Sequence, residues 1–563
     1  MDFGTVCAVY DDLAATQATL EKTAILAGLF ERAEGQLLAR LVNLTRRRVF
    51  SDWQSDDLGV STALTLEAIA KATGIDDPTI EKWWREEGDL GSAAARAVSN
   101  RSQRTLVQGT LDVETVHETL RDLATNFGAG SQSRKVAAIA GLLADADPNE
   151  AQYLVRTVLG TMRLGVGAEL VRDALAEAFL DGSDEAATAI ERAYGVTNDF
   201  GLVAERVRER GRAGIDDLGV ELFRPVKPML AHKADDMTEA LDELGDASGE
   251  ILLETKYDGI RAKLHRRADT IRVFTRRLED VTEQFPDVVD AASDHLAATD
   301  YIVEAEVVGV DPETGRIVPF QQLSQRVKRK YNIDEFVETI PVTAYVFDLL
   351  YLDGDSLIDQ PLRDRLARLE SVLDPEKGTI ERAAHRRTAS LSSATEFYEQ
   401  ALSAGPEGVM VKNLEATYQP GSRVGYQLKV KSTMEVLDLV VTRVKWSEGR
   451  KSEFLGRPYL ACYDPADGSF KEIGRMHTGF TDDDLEEFTG LVEPHIIEVH
   501  GREAALTPEA VLEVSYEEIQ SSPKYGSGYA LRFPRFEGIR YDLDPEDADT
   551  IGRIEQLYAD QHD

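Results

Sequence analysis

Apolar positions recur three and four residues apart along the first third of the chain, as in AILAGLFERAEGQLLARLV and AQYLVRTVLGTMRLG. That spacing lines one face of a helix, and with Ala, Leu, Glu and Arg plentiful it predicts an all-helical region over residues 1–222. Pro225 and Pro228, in GVELFRPVKPMLAHKA, interrupt the pattern and mark a boundary. Short strand-like runs follow: EILLETKY, IRAKLHR, TIRVFTR, YIVEAEVVGV, VTAYVFDLLYL, EGVMVK and YQLKVK. Helical stretches, DVVDAASDHLA and PLRDRLARLESVL, lie among them, so residues 223–432 read as a mixed α/β domain with substantial antiparallel sheet. From LDLVVTRVKW to VLEVSYEEIQ the runs are strand-like again, with a hairpin signal at Asp467-Gly468, and residues 433–563 fit a small barrel.

The length of 563 residues is consistent with three or four domains at about 150 residues each. No apolar run is long enough to span a bilayer, and MDFGTVCAVYDDLAATQ lacks a basic region followed by a long apolar stretch, so a cytoplasmic protein without a membrane partner is expected. Cys7 and Cys462 cannot supply a four-thiolate zinc site, and reduced, structural thiols are expected.

Charge changes the picture. Lys and Arg number 63 against 101 Asp and Glu, a formal net charge of −38. Taken alone, this argues against nucleic acid, whose affinity rests on Lys and Arg at phosphates. The other reading is a general surface adaptation. Only 18 of the 63 basic residues are Lys, and acidity with scarce lysine suits a salt-rich cytoplasm, where screening over about 3 Å at 1 M salt removes self-repulsion. On that halophile reading the melting temperature falls when KCl is lowered from molar concentration to about 0.1 M; a scan in which it holds overturns the reading.

Lys256 stands between an apolar run and a Tyr-Asp-Gly turn, a costly place for a solvated ammonium. With Asp258, Gly259 and Arg261 it forms Lys-x-Asp-Gly-x-Arg, which by itself also reads as a β-turn carrying a surface lysine. Glu306 in IVEAEVVG and Glu407 in EGVMVK are carboxylates in apolar strands, where charge is costly unless a cation or ligand meets it. Lys429 and Lys431 in YQLKVK share one side at strand period, as a phosphate-binding pair or as a solvated face.

Taken in order, ETKYDGIRAKLH, FTRRLEDVT, IVEAEVVG, YVFDLLYLDG, EGVMVK, LKVK and LRFPRFEGIR resemble the motifs of the ATP-dependent DNA ligases of the archaeal and eukaryotic replicative type, members of the covalent nucleotidyltransferases. The helical AQYLVRTVLGTMRLGVGAELVRDALAEAF is similar as well. The resemblance implies a helical DNA-binding domain (1–222), an adenylation domain with antiparallel sheets (223–432) and a C-terminal OB-fold barrel (433–563). It implies that the neutral amine of Lys256, its pKa lowered by burial and nearby cations, attacks the α-phosphorus of ATP, releases pyrophosphate and holds AMP as a phosphoramidate. The adenylate then passes to the 5′-phosphate of a nick in duplex DNA, and the adjacent 3′-hydroxyl expels AMP. Phosphoryl oxygens need neutralising at every step, hence Mg²⁺, Lys and Arg.

By the same resemblance Glu254 contacts the adenine amine and Phe347 stacks on the base, although an aromatic in AYVFDLLYL is on its own more often core. Arg261 and Glu306 lie near the ribose and Arg276 near the phosphate end. Glu306 and Glu407 are the metal candidates, and Arg423, Lys429 and Lys431 contact phosphates. Arg532 and Arg535, in LRFPRF, orient the pyrophosphate from the C-terminal domain, which implies a domain closure. Two positions depart from the family pattern: Ala305 where glycine is usual, and Gln427 where an aromatic is common.

RVKRK, Arg326–Lys330, reads as a DNA backbone contact or a solvated charge run, as do Arg134 and Lys135 with Arg163 and Gly165 in the helical region. A sliding clamp is an implied partner; Gln103 and Leu106 in SQRTLVQGTL stand where a docking segment belongs, without its usual aromatic pair. A monomer is expected. An NAD-dependent ligase is disfavoured by the missing cysteine cluster and a capping guanylyltransferase by the long helical third. RNA ligase and a non-catalytic nick-binding scaffold stay open as alternatives.

Overall fold

The helical periodicity is realised as a run of α-helices from Phe3–Ala15 to Phe200–Asp216. The computed structural model describes the chain apart from residues 55, 102–108, 127, 129, 245–248, 313, 315, 319, 328–332, 422, 432–435, 448–453, 542 and 562–563. Gln103 and Leu106 therefore lie outside the described residues. The apolar stripes of the helices close on one core that includes Phe3, Tyr10, Leu41, Val116, Leu154, Leu175 and Val203, all buried. Local chemistry starts the helices: Asp147 and Glu150 form a reciprocal cap at Pro148–Val158, satisfying two backbone donors that a helix start leaves open.

After the proline boundary the strands are β1 (Leu230–Lys233), β2 (Ile251–Lys256), β3 (Ile260–Arg267), β4 (Thr270–Thr275), β5 (Asp300–Gly309), β6 (Val342–Leu352), β7 (Asp355–Ser356), β8 (Ile380–Arg382), β9 (His385–Thr388), β10 (Gly408–Lys412) and β11 (Arg423–Lys431). They build two sheets. One has the order β1-β11-β10-β2-β9; the other runs β4-β3-β5-β6-β7, with β8 beside β6. Every run anticipated from alternation is a strand, and the two helical stretches are Pro286–His295 and Leu362–Val372. β1, β7, β8 and β9 were not foreseen, being two to four residues long and too short to show a period.

The helices and these two sheets belong to one compact unit, Met1–Val430. A small buried cluster joins them: Val196 from the helices, Val220, Val226 and Met229 from the connecting segment, and Ile302, Leu350, Ile358 and Tyr418 from the sheet side. The second unit, Lys431–Asp563, is strand-rich. Its strands are β12 (Leu437–Lys445), β13 (Arg457–Asp464), β14 (Ser469–Arg475), β15 (Ile496–His500), β16 (Glu503–Leu506), β17 (Val511–Ser515), β18 (Glu518–Ser521), β19 (Tyr529–Arg532) and β20 (Arg535–Ile539). The main sheet follows β14-β13-β12-β16-β15, with β17 joining β12 to β20. The expected hairpin at Asp467-Gly468 links β13 to β14, and Gly468 has φ +70°, which glycine adopts without strain.

Two surface readings need correction. Arg326 is not at the surface. It is fully buried, donates to Asp287 at 3.0 and 2.5 Å and to the Gln284 carbonyl at 2.7 Å, and lies over the Phe285 ring. The remaining basic residues of RVKRK, Lys328 to Lys330, lie outside the described residues. Lys135 is likewise buried, its ammonium satisfied by the carbonyls of Leu58 at 2.6 Å and Gly59 at 3.3 Å. A buried cation with internal acceptors cannot also meet a DNA phosphate. Arg134 is exposed, and Arg163 is mostly so, with its guanidinium on the Gly88 carbonyl at 2.8 Å.

Candidate active site

The Lys-x-Asp-Gly-x-Arg segment carries the chain from one sheet to the other: Lys256 ends β2, the turn follows, and β3 begins at Ile260 in the second sheet. Gly259 is required by the crossing. A Cβ there would stand 2.5 Å from the Val307 carbonyl oxygen and 3.0 Å from Glu306 Cγ, so any side chain pushes the turn off β5. The lysine thus ends up among residues of both sheets.

On the first sheet, β10 pairs antiparallel with β2, setting Gly408 opposite Lys256 and Met410 opposite Glu254. The Glu407 amide donates to the Lys256 carbonyl at 3.1 Å, and the Lys256 ammonium donates to Glu407 Oε2. Both side chains keep some solvent access, 21% and 17%. Lys256 is therefore a partly open ion pair, unlike the solvated lysine of an ordinary turn. Glu254, two residues earlier, is buried and holds two cations: Arg382 of β8 at 2.7 Å on Oε1 and Lys412 of β10 on Oε2. Burial would raise its carboxyl, but Lys412 and Arg382 outweigh that and hold it below the ordinary range.

On the second sheet, β3 pairs antiparallel with β5, placing Arg261 opposite Glu306 and Lys263 opposite Glu304. Glu304 is fully buried and takes Arg261 at 2.8 Å and Lys263 at 2.6 Å. Burial opposes its charge, yet Arg261 and Lys263 prevail and hold the carboxyl at about 2. Glu306 behaves oppositely. It is half-buried, makes no ion pair among the described residues, and burial pushes its carboxyl up to about 7; Lys256 and Arg261 oppose that rise while Asp258 and Glu407 add to it. The sequence reading named Glu306 and passed over Glu304: both lie in one apolar strand, and only strand pairing shows which is neutralised and which is left chargeable.

Phe347 of β6 is half-buried, so the core reading fails for it. Lys412 lies 4.7 Å from its ring centre and Arg261 5.4 Å, linking the two sheets through one aromatic. Two positions along β6, Tyr345 stacks on Tyr257 with ring centres 4.0 Å apart and planes within 5°. Sequence reasoning missed Tyr257, Tyr345, Glu304, Lys263, Arg382 and Lys412. Strand period could have flagged Tyr345 beside Phe347 and Glu304 beside Glu306; nothing local points to Arg382.

Among the other candidates, Arg276 is exposed in the turn after β4. Lys429 of β11 is half-buried and stands opposite Lys233 of β1; the side chains of Arg423 and Lys431 on the same strand lie outside the described residues. In the second unit Arg532 pairs with Glu518 at 3.1 Å and Arg535 is exposed near Glu537 at 3.9 Å, with Phe533 between them 67% exposed. Among the described residues no three His, Cys, Asp or Glu side chains cluster as a metal cage. Asp258 and Glu407 lie close enough to Glu306 for their charges to raise its carboxyl further.

Comparison with known proteins bears on this site. Residues 228–431 match the family described as ATP dependent DNA ligase domain, residues 2–176 the DNA ligase N terminus, and residues 451–543 the ATP dependent DNA ligase C terminal region. The chain is 41% identical over 561 residues to the DNA ligase of Thermococcus onnurineus (strain NA1), covering 100% of this chain and 98% of that one. To the DNA ligase of Nanoarchaeum equitans (strain Kin4-M) it is 39% identical over 568 residues, covering 100% and 99%. Among solved structures, "Pmar-Lig_PreS3" shares the fold at a TM-score of 0.57 with 17% identity, over 95% of this chain and 99% of that one.

Proposed function

Because this chain belongs to the ATP-dependent DNA ligase family, we propose that the two sheets converge on its adenylation site and that Lys256 is the residue that carries AMP. The protein is an ATP-dependent DNA ligase that seals nicks in duplex DNA. What supports the assignment of Lys256 is a single observation: its ammonium is drawn onto Glu407, with Arg261 and a chargeable Glu306 close by, at the glycine-enforced crossing between sheets.

Attack on the α-phosphorus needs a neutral amine, so a proton must leave Nζ, and the Glu407 carboxylate it already touches is placed to receive it. The base would stack on Phe347, with Glu254 at its amine edge once Lys412 or Arg382 gives way. Arg261 and Glu306 would meet the ribose, and Arg276 the phosphate end. Lys429, with Arg423 and Lys431, would neutralise phosphoryl oxygens along β11. Mg²⁺ would be held by Glu306 and Glu407 and would supply charge neutralisation at the phosphates. In the second unit, read as an OB-fold domain over 433–563, Arg532 and Arg535 would orient the leaving pyrophosphate. The helical domain, 1–222, would grip the nicked duplex, with the central adenylation domain spanning 223–432. Monomeric action in the cytoplasm during replication, repair and recombination, docking to a sliding clamp, and the salt-adapted acidic surface all belong to the same reading.

The direct test is incubation with α-labelled ATP or, separately, labelled NAD, with Mg²⁺ in concentrated KCl, followed by denaturation. Label bound from ATP alone supports the reading; label from neither, in folded protein, points to a nick-binding scaffold. Chasing the labelled protein with nicked DNA or nicked RNA then separates DNA ligase from RNA ligase.

Glu306 yields a pH prediction. Its carboxyl in the folded protein, at about 7, lies above the ordinary value of 4.5, so the protonated form is favoured by folding. The stability this contributes is present below about 4.5 and is lost as pH rises through about 7. The ligand-free protein is expected to lose at most about 3 kcal/mol between pH 4.5 and 8, less the part that solvent screens. Urea midpoints across that range check it, and in Glu306→Gln the fall should vanish.

A further inference from the structure

Tyr418 is buried between the segment arriving from the helices and the second sheet, in one cluster with Met229, Ile302 and Leu350. Its hydroxyl accepts from the Met229 amide at 3.1 Å. Two acceptors lie within reach of its one proton: the Lys227 carbonyl at 3.2 Å and Glu304 Oε1 at 3.1 Å. A hydroxyl has a single donor, so it serves one of them at a time or divides itself poorly between both. Burial holds the phenol well above its ordinary pKa, so the proton stays.

Both acceptors lead somewhere specific. Glu304 is the carboxylate that grips Arg261, and Arg261 donates in turn to the Met229 carbonyl at 3.0 Å. Lys227 is tied to the helices: its amide donates to the Gly195 carbonyl at 3.0 Å and its ammonium sits 3.7 Å from the ring centre of Tyr194. Gly195 is itself pressed against Pro420, two residues past Tyr418; a Cβ there would stand 2.4 Å from the Pro420 carbonyl oxygen. One hydroxyl therefore joins the connecting peptide, anchored on the helices, to the carboxylate that sets Arg261.

We propose that Tyr418 is a positioning residue for adenylation: the seat of the 227–229 peptide on the helical domain is transmitted through its hydroxyl and Glu304 to the placement of Arg261. This rests on the reading that Arg261 meets the bound nucleotide. Tyr418→Phe removes the hydroxyl and leaves the ring, so the expected change is a KM for ATP in self-adenylation raised about fivefold to tenfold, with kcat within about twofold. A merely structural tyrosine would lower the melting temperature without that split. Arg261→Lys, which cannot span both of its partners, is the control and should raise the same KM at least as much. In the Arg261→Lys background Tyr418→Phe should have no further effect on KM, since it acts through that guanidinium. An unchanged KM in Tyr418→Phe, or effects that simply multiply in the double variant, overturns the positioning role. An unchanged KM in Arg261→Lys overturns the reading of Arg261 itself. Should Tyr418→Phe melt below the assay temperature, Glu304→Asp, which keeps the charge and shortens its reach, must show the same KM rise, and its failure to do so counts equally against the proposal.

Discussion

Lys256→Ala protein, folded and in molar KCl, is expected to take up no label from α-labelled ATP and to seal nicks at least about a thousandfold more slowly than the parent, the scale of loss when a covalent nucleophile is removed. The effect is large because no neighbour can substitute. Lys412 is held on Glu254, and Lys263 on Glu304, each already committed to a buried carboxylate. The same variant, given nicked duplex whose 5′-phosphate already carries AMP, should seal it far better than it uses ATP, because that substrate bypasses the lysine. Label on the variant, or equal failure with both substrates in folded protein, would move the nucleophile elsewhere or show that Lys256 serves a later step.

Glu304→Ala should destabilise the protein by about 3–5 kcal/mol, the range for removing one partner of a buried ion pair. Its carboxylate is fully buried between Arg261 and Lys263, with the Tyr418 hydroxyl as a third donor, and alanine leaves two cations in a site that water does not reach easily. The acid limb follows with a definite sign. Folding holds the Glu304 carboxyl at about 2, below its ordinary 4.5, so its stabilisation is present above 4.5 and is lost as pH falls through about 2. Urea unfolding of parent and variant at pH 7 and pH 3 should show the gap between them narrowing in acid. A gap that stays below about 1 kcal/mol at pH 7 would mean that the cations find other partners or water.

Glu304 also shows where sequence reasoning stops. The residue lies in the same quoted run as Glu306, IVEAEVVG, and although the argument of a carboxylate in an apolar strand fits it equally, only Glu306 is singled out from sequence. Only the pairing of β3 with β5 sets Lys263 opposite the first and Arg261 opposite the second, after which the guanidinium reaches across to Glu304. The surface reading of Arg326 failed for a related reason. Its charge pattern fits a solvated or phosphate-facing surface, but the guanidinium turns inward to Asp287, 39 residues earlier in the chain. Phe347 went the other way: an aromatic in an apolar strand that the fold leaves half open between two cations.

What the sequence determined by itself are the features written in local spacing. The helical third, the long strands, the Asp467-Gly468 turn and the lysine set just before an Asp-Gly turn all follow from residues within a few positions of one another. The family resemblance rested on the order of such local motifs. Tertiary structure alone decided which charge meets which. Lys256 and Glu407 are 151 residues apart, Glu254 and Lys412 158, Glu254 and Arg382 128, and Glu304 and Tyr418 114. Whether a buried carboxylate is neutralised, shared or left to titrate depends on those distant partners, because in a site that excludes water the charge is set by the few groups the fold brings within hydrogen-bond reach.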